Sequence, residues 1–291
     1  MKKSIKTFLK HPIKDSSNRS ANPAVIRAST ILFNSMQELY QHEKKIKKHQ
    51  KISHYSYGRY GSSTTIELEN ILKELEQAFH VFLTGTGFGG VALAIMSLCR
   101  PGDEIIVSDN VYGPTKEISE KLLKEFNVMA KFYNPDSFED LKNKVTKKTK
   151  MILVENPGSN TFEFQDLSKI VSLAKRKKIF TLLDNTWGTP LYLKPLEIGF
   201  DMSFSSATKY FSGHSDAMGG SLAVNKKVYK KIMFFYKLSG YRMSADEAYL
   251  IIRGLRTLDT RLKQHYQNTK AVINFLRKQK KIIEVLYPHK P

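Results

Sequence analysis

Cysteine and tryptophan are almost absent from this chain, which has one of each among its 291 residues. The single cysteine, Cys99, can form neither an intrachain disulfide nor a cysteine-rich metal site, which is typical of proteins in a reducing cytosol. Cys99 lies in the apolar segment VALAIMSLC, where a lone cysteine is most often an unreactive core residue. The scarcity of cysteine therefore excludes a disulfide scaffold, and we expect no metal site.

Long apolar runs are also missing. No segment approaches the ~20 consecutive apolar residues that a membrane-spanning helix needs. The basic amino terminus MKKSIKTFLKHPIKD lacks the continuous apolar stretch of a signal peptide. A hydrophobic content of 41% with 25% charged residues is typical of a globular protein. We therefore predict a soluble, cytoplasmic protein with no membrane partner.

Acidic residues are few compared with basic ones, 27 against 47, which gives a formal net charge of +20. Most basic residues are lysines scattered over nearly every segment, whereas nucleic-acid sites favour arginine and concentrate charge on one face. The densest cluster, KKIKKHQK at 44–51, precedes aromatic residues in HYSYGRY and is the strongest local argument for nucleic-acid binding. A solvated helix end or loop explains this cluster better, so the charge pattern favours no nucleic-acid partner.

Short β-branched runs alternate with amphipathic helical patterns from residue 64 onward. The apolar runs are VFL, EIIVSD, MILVEN, IFTLLDN, MSFSSATKY and GGSLAVN. This order predicts βαβ units and a mainly parallel sheet covered by helices on both faces. Ligands bind just beyond the carboxyl ends of the strands in such sheets. The polar or glycine-rich segments at those ends are 84–90, 109–112, 155–160, 184–187 and 205–209.

The segment VFLTGTGFGG at 81–90 fits the pattern G-x-G-x-x-G between an apolar run and a helical pattern. A dinucleotide site is one interpretation, with Asp109 at the end of the next apolar run as the ribose-binding acid. The extra Gly89 and the position of the loop deep in the chain weaken it. A glycine-rich turn before a helix offers backbone N–H groups and a positive dipole end to any phosphate. A tight turn without a ligand is the third alternative.

A lysine and an aspartate at two other strand ends narrow the choice. Lys209 follows the hydroxyl-rich segment SSAT, and a lysine amine near low-dielectric surroundings can form an imine with an aldehyde. Asp184 ends the apolar run IFTLLD, where a carboxylate needs a cation or a hydrogen-bond donor. Together with a phosphate-binding loop, these residues predict pyridoxal phosphate as the cofactor. Tyr112 is a candidate to stack on its ring, with ordinary packing as the alternative.

With these residues assembled, the chain resembles the Cys/Met-metabolism family of pyridoxal-phosphate enzymes over about residues 22–291. The resemblance implies the large domain of the aspartate-aminotransferase-like α/β fold (fold type I), with a mainly parallel seven-stranded sheet. It implies an N-terminal arm at 1–50, a cofactor-binding large domain at 51–245 and the beginning of a C-terminal subdomain at 246–291. The family's C-terminal subdomain carries an arginine for the substrate carboxylate, and we expect most of that subdomain to be missing here.

The resemblance also implies roles for individual residues. YGRYG at 57–61 resembles a Y-x-R motif whose tyrosine and arginine reach the cofactor phosphate of the neighbouring subunit. The GF pair at 87–88 and the hydroxyls of SATK match phosphate-binding positions, and the lysine of SATK matches the one that forms the imine and moves a proton. The cofactor-binding residues so implied are Tyr57, Arg59, Thr86, Gly87, Phe88, Tyr112, Asp184, Ser206, Thr208 and Lys209, and the catalytic residues are Lys209 and Tyr112.

Three details favour the β-lyase branch of this family, namely Trp187 in DNTWGTP, the segment ENPGS at 155–159 and SST at 62–64. That branch implies cleavage of cystathionine to homocysteine, pyruvate and ammonia in methionine biosynthesis. It also implies a homodimer or homotetramer whose active site is shared between subunits. γ-Synthase or γ-lyase chemistry on the same pocket is one alternative, and a catalytically inactive remnant is another. Nucleic-acid binding is the weakest.

Overall fold

The computed structural model describes residues 4–10, 20–48 and 55–287. The ends of the expected N-terminal arm, and the end of the basic cluster at 44–51, lie outside the described residues. The strands are His80–Thr84 (β1), Glu104–Ser108 (β2), Met129–Tyr133 (β3), Thr149–Glu155 (β4), Phe180–Asp184 (β5), Met202–Ser206 (β6) and Gly220–Val224 (β7).

The helices alternate with these strands in the first two thirds of the chain and follow one another at its end. They are Ile5–Lys10 (α1), Met36–Lys47 (α2), Ser63–Glu76 (α3), Gly87–Leu98 (α4), Gly113–Glu117 (α5), Leu123–Glu125 (α6), Phe138–Lys144 (α7), Leu167–Lys177 (α8), Thr189–Tyr192 (α9), Pro195–Ile198 (α10), Lys226–Ser239 (α11), Ala245–Leu255 (α12) and Leu258–Leu276 (α13). A 3₁₀ turn covers Gly58–Tyr60, and a π turn at Ile118–Leu122 joins α5 to α6.

The seven strands form one sheet in the order β1-β7-β6-β5-β4-β2-β3. Strands β2 to β6 pair in parallel, whereas β7 is antiparallel to both of its neighbours. This topology confirms the expected mainly parallel seven-stranded sheet. Six strands coincide with the apolar runs of the sequence, and β3 is the exception. As an edge strand it is exposed or only half-buried at four of its five residues, so it lacks a continuous apolar run.

Helices cover both faces of the sheet because neighbouring strand residues point to opposite sides. Phe82 packs on one face in a cluster to which α4 and α11 contribute, whereas Val81 and Leu83 pack on the other face. There they meet residues of α3, α12 and α13. Helix α12 begins at residue 245, where the expected large domain ends, and it packs on the same sheet as the rest of that domain. The division of the chain into domains stays a prediction. A third cluster joins α8 to β4 and β5.

Cys99 caps the end of α4 and is only 7% exposed. Burial raises the pKa of its thiol to about 12, so the sulfur stays protonated and unreactive, as expected of a core cysteine. Across the described residues, no helix is both long and apolar enough to span a bilayer. The same residues contain no group of three histidine, cysteine or acidic side chains that could hold a metal ion.

Candidate active site

Strand register brings the predicted polar segments to one edge of the sheet. Thr84 and Ser206 both pair with Gly220, at the beginning of β7. Along the same edge, Asp184 pairs with Glu155 on one side and with Phe204 on the other. This edge is the one at which parallel α/β sheets bind their ligands.

The beginning of α4 forms a cradle for an anion. Thr86 is the N-cap of this helix, and its Oγ1 accepts a hydrogen bond from Gly89 N at 3.0 Å. The N–H groups of Gly87 and Phe88 lie in the first turn, where backbone N–H groups have no carbonyl acceptor within the helix. This turn also carries the positive end of the helix dipole. A Cβ atom at Gly87 would lie 2.5 Å from Ser206 Oγ, so the loop and β6 approach closely only because this residue is glycine. The cradle fits a phosphate group bordered by a hydroxyl.

Asp184 is a buried acid at the end of β5, with 8% of its surface exposed. Its Oδ1 accepts a hydrogen bond from Thr186 N at 2.9 Å. Burial raises the pKa of the carboxyl group to about 6, and the hydrogen bonds from Thr186 oppose that rise. No described lysine or arginine forms an ion pair with it. A buried carboxylate without a cation fits the N–H of a pyridinium ring.

Thr186 connects this acid to the phosphate cradle, because its Oγ1 accepts a hydrogen bond from Ser206 N at 2.8 Å. The same residue bonds to Asp184, so it fixes the ends of β5 and β6 relative to each other. This role of Thr186 was not predicted from the sequence. The only indication in the sequence is a hydroxyl two positions after the acid in DNT, and that is too common to interpret alone.

Glu155 is a second acid at this edge and the cross-strand neighbour of Asp184. Its Oε2 accepts a hydrogen bond from the backbone N of Tyr112 at 2.7 Å. Burial and then the charge of Asp184 raise the pKa of Glu155 to about 8. Glu155 lies among the strand-end positions predicted from the sequence, but no role in the site was predicted for it.

Lys209 lies in the turn that follows β6, and its side chain is exposed. Its backbone N donates to Ser206 O at 3.1 Å, which holds the turn close to the strand end. None of the described carboxylates forms an ion pair with its ammonium group. The Thr208 hydroxyl donates to Gly219 O at 3.2 Å and accepts from Gly219 N at 3.0 Å, which ties the turn to β7. The lysine is thus held at the edge and remains available to a ligand.

The aromatic side chains near this edge are exposed. Tyr112, just before α5, is 51% exposed, and Phe88 is 37% exposed. Trp187 lies three residues after Asp184 and packs edge-on against Phe162, with ring centroids 5.8 Å apart. An exposed tyrosine face is what stacking on a planar ligand requires.

Tyr57 and Arg59 stand apart from the other predicted residues. The Arg59 guanidinium lies over the rings of Tyr57 and Tyr60, 5.4 Å from each centroid. In the described part of the chain, neither residue forms a hydrogen bond or ring contact with the α4 cradle, Asp184 or Lys209. Asp109, the acid of the dinucleotide alternative, forms an exposed ion pair with Lys116 at 2.5 Å.

A helix beginning that suits a phosphate shares one edge of a mainly parallel sheet with a buried acid and an exposed lysine, neither of which forms an ion pair with another described residue. This combination defines the large domain of a pyridoxal-phosphate-dependent enzyme. The profile of the family described as Cys/Met metabolism PLP-dependent enzyme matches residues 7–291. The chain belongs to that family, whose cofactor is pyridoxal phosphate.

Known proteins resemble the chain along most of its length. It is 32% identical over 295 residues to cystathionine beta-lyase of Bordetella avium, which covers 99% of this chain and 74% of that protein. It is 34% identical over 277 residues to L-alanine/L-glutamate racemase of Wolbachia pipientis wMel, with coverages of 94% and 68%. The crystal structure of cystathionine gamma-lyase from Lactobacillus plantarum complexed with L-serine matches with a TM-score of 0.90 at 26% identity, covering 100% of this chain and 72% of that one.

The chain is shorter than the proteins it resembles. It spans 66% to 78% of the length of four curated relatives.

Proposed function

We propose that this chain is a carbon–sulfur lyase that uses pyridoxal phosphate to cleave cystathionine by β-elimination. The observation that carries the proposal is the common edge on which Lys209, Asp184 and the beginning of α4 lie. An aldehyde, a ring nitrogen and a phosphate need these three kinds of group. A relative named cystathionine beta-lyase, similar along 99% of this chain, supports the choice of reaction.

Each residue of the edge has a separate task in this proposal. Asp184 would accept a hydrogen bond from the protonated ring nitrogen, and Tyr112 would cover one face of the ring. The first turn of α4 and Ser206 hold the phosphate. Lys209 Nζ would hold the cofactor at its aldehyde carbon with loss of water. Once displaced by the substrate amine, the free Lys209 amine would move the proton from the substrate Cα, and such a proton transfer is worth roughly 10²–10⁴ in rate. When bound, pyridoxal phosphate supplies the electron sink that stabilises negative charge at that carbon.

The reaction breaks the bond between Cβ and sulfur on the three-carbon side of cystathionine. The sulfur leaves with a proton as homocysteine, and the remaining three-carbon fragment takes up water to give pyruvate and ammonia. γ-Elimination on the same pocket would instead break the bond on the four-carbon side and give 2-oxobutyrate. The match to a cystathionine gamma-lyase structure is the observation that favours this second candidate.

Tyr57 and Arg59 are assigned to the site of a neighbouring subunit, in a homodimer or a homotetramer. Both side chains are exposed, and the Arg59 guanidinium lies over the rings of Tyr57 and Tyr60. Arg59 forms no ion pair with a described carboxylate, and such an arginine suits a phosphate, which it binds through paired hydrogen bonds.

The test is an assay of the purified protein with pyridoxal phosphate and cystathionine, in which pyruvate and 2-oxobutyrate are measured separately. Pyruvate release supports the proposal, and 2-oxobutyrate release selects γ-elimination. Cofactor binding without either product contradicts both β- and γ-elimination. If the protein then racemises L-alanine or L-glutamate, its reaction is that of the Wolbachia relative, L-alanine/L-glutamate racemase. Lys209→Ala should abolish turnover, whereas Lys226→Ala, an exposed lysine at the beginning of α11, should leave it unchanged.

A further inference from the structure

A buried and a half-buried carboxylic acid, Asp184 and Glu155, lie at the ends of the neighbouring strands β5 and β4, and the proposed reaction uses only Asp184. Glu155 and Asp184 are in register on neighbouring parallel strands, so their side chains project from the same face of the sheet. Like charges in such close proximity disfavour ionisation of both groups. Glu155 is therefore a half-buried titratable group in register with the acid assigned to the ring nitrogen, and the charge of that acid raises its pKa.

Glu155 also holds the tyrosine assigned to the ring face. The hydrogen bond from Tyr112 N to Glu155 Oε2 is 2.7 Å long, and it is formed where α5 begins. The Tyr112 carbonyl in turn accepts from the N–H groups of Thr115 and Lys116 in the first turn of α5. The carboxyl group thus fixes the backbone position from which the Tyr112 ring projects.

The described residues that bond to this pair come from the neighbouring elements. Tyr112 at the beginning of α5 donates to the Glu155 carboxyl group, and Thr186 after β5 donates to that of Asp184. Tyr133 on β3 is linked to the Glu155 backbone through Gln165. The Tyr133 hydroxyl donates to Gln165 Oε1 at 2.5 Å, and Gln165 Nε2 donates to the Glu155 carbonyl at 3.2 Å. No described cation contributes to the shifts of the pair, which come from burial, from the acids themselves and from hydrogen bonds of Tyr112 and Thr186.

We propose that Glu155 is a positioning residue of the cofactor site, which holds Tyr112 through its backbone N–H and shares one proton with Asp184. The pair then carries one negative charge opposite a protonated ring nitrogen and gains a second one only in alkaline solution. The pKa values of about 6 for Asp184 and about 8 for Glu155 bound this range. The inference rests on the proposed function, because it takes Asp184 as the acid that faces the ring nitrogen.

The experiment measures the Kd for pyridoxal phosphate between about pH 6 and pH 9 by quenching of Trp187, the one tryptophan of the chain. Glu155→Gln keeps an oxygen for the Tyr112 N–H but cannot ionise. We expect its Kd to match that of the unsubstituted chain near pH 7 and to exceed it by about tenfold near pH 9, the effect of one pKa unit of coupling. Glu155→Ala also loses the hydrogen bond, so its Kd should be raised about two- to tenfold at every pH.

Asp109→Asn is the matched control, because this exposed carboxylate at the end of β2 pairs with Lys116 instead of facing Asp184. Its Kd for pyridoxal phosphate should equal that of the unsubstituted chain at every pH measured. Superposable profiles for Glu155→Gln and the unsubstituted chain would overturn the shared proton. Equal affinities for Glu155→Ala and Glu155→Gln would overturn the role of the hydrogen bond. Circular dichroism identifies a variant that fails to fold, and the nearly isosteric glutamine keeps the test decisive.

The binding experiment uses no substrate, so it separates two kinds of failure. Cofactor binding with the expected pH profile but without product from cystathionine contradicts the proposed reaction and leaves the role of Glu155 intact. An unsubstituted chain that does not bind pyridoxal phosphate contradicts both.

Discussion

Gly87 allows the main chain before α4 to approach β6 more closely than any other residue would permit. In Gly87→Ala, the new methyl group would meet Ser206 Oγ at 2.5 Å, so the hydroxyl or the loop must shift. Overpacking of this kind costs about 1–3 kcal/mol. We expect the Kd for pyridoxal phosphate to rise about 10–100-fold, measured by fluorescence titration.

Gly113→Ala is the control for this substitution, since a Cβ atom at Gly113 would meet nothing within 4 Å. It also lies next to a predicted site residue, Tyr112, at the beginning of a helix. An unchanged Kd for Gly87→Ala, or an equal rise in both variants, would contradict the role of the close approach.

Glu76, on α3, is a buried acid that opposes folding in alkaline solution. It is 1% exposed, and neither carboxyl oxygen has a hydrogen-bond partner among the described residues. Burial raises its pKa from 4.5 to about 8, against smaller effects of Ser203 and Lys194. The folded state therefore binds this proton more tightly than the unfolded state. The contribution of Glu76 protonation to the stability of the fold is therefore fully present below about pH 4.5, and it is lost as the pH rises through about 8.

The unsubstituted chain should lose stability relative to Glu76→Gln as the pH rises. The difference between their free energies of unfolding should shift in favour of Glu76→Gln by up to about 1.4 kcal/mol per pH unit between pH 5 and pH 8. Urea unfolding at several pH values measures the difference. Glu74→Gln, at an exposed position of the same helix, is the control for the loss of one negative charge. Parallel pH curves for Glu76→Gln and the unsubstituted chain would contradict the raised pKa.

At the scale of the elements, the N-cap of α4 combines a structural task with a proposed binding task. Thr86→Ala removes the hydrogen bond to Gly89 N and should lower the free energy of unfolding by about 1 kcal/mol. Ser137→Ala removes the corresponding bond to Asp140 N at the N-cap of α7 and should cost the same. Only Thr86→Ala should weaken cofactor binding, by about two- to tenfold. Equal cofactor affinities in the two variants would contradict a role of Thr86 in binding the phosphate.

The sequence predicted the strand ends because buried parallel strands produce continuous apolar runs that stop at a polar residue. Asp184 and Ser206 were identified in this way, and their common edge follows from the parallel arrangement. The register between β4 and β5 could not be predicted, since it depends on pairing between strands that are separated by α8. The contact between Glu155 and Asp184 was therefore missed. Thr186 was missed because its role depends on a side-chain orientation that packing alone determines.

For the whole molecule, the assignment of Arg59 to a neighbouring subunit predicts complementation between inactive chains. Coexpressed Arg59→Ala and Lys209→Ala chains should form mixed dimers in which one of the two sites is intact. With random pairing, the mixture should recover about a quarter of the activity of the unsubstituted protein in a two-site dimer. The measurement is turnover of cystathionine by the purified mixture.

Lys209→Ala mixed with Asp184→Asn is the control, because both residues belong to the same half of the site. No mixed dimer of that pair contains an intact site, so no activity should return. Absence of recovery in the first mixture would mean that Arg59 serves its own chain. Recovery in the control would mean that Lys209 and Asp184 of one site come from different chains.

The burial of Cys99 has a practical consequence for labelling experiments on this protein. Its thiol is buried, with a pKa of about 12, and no other cysteine is present. Thiol reagents act on the ionised, accessible sulfur, so maleimide dyes and crosslinkers should leave the natural chain unlabelled. A cysteine introduced at an exposed position such as Tyr57 would then carry the only label. Distances between such labels on two subunits can be measured without first replacing any native residue by serine.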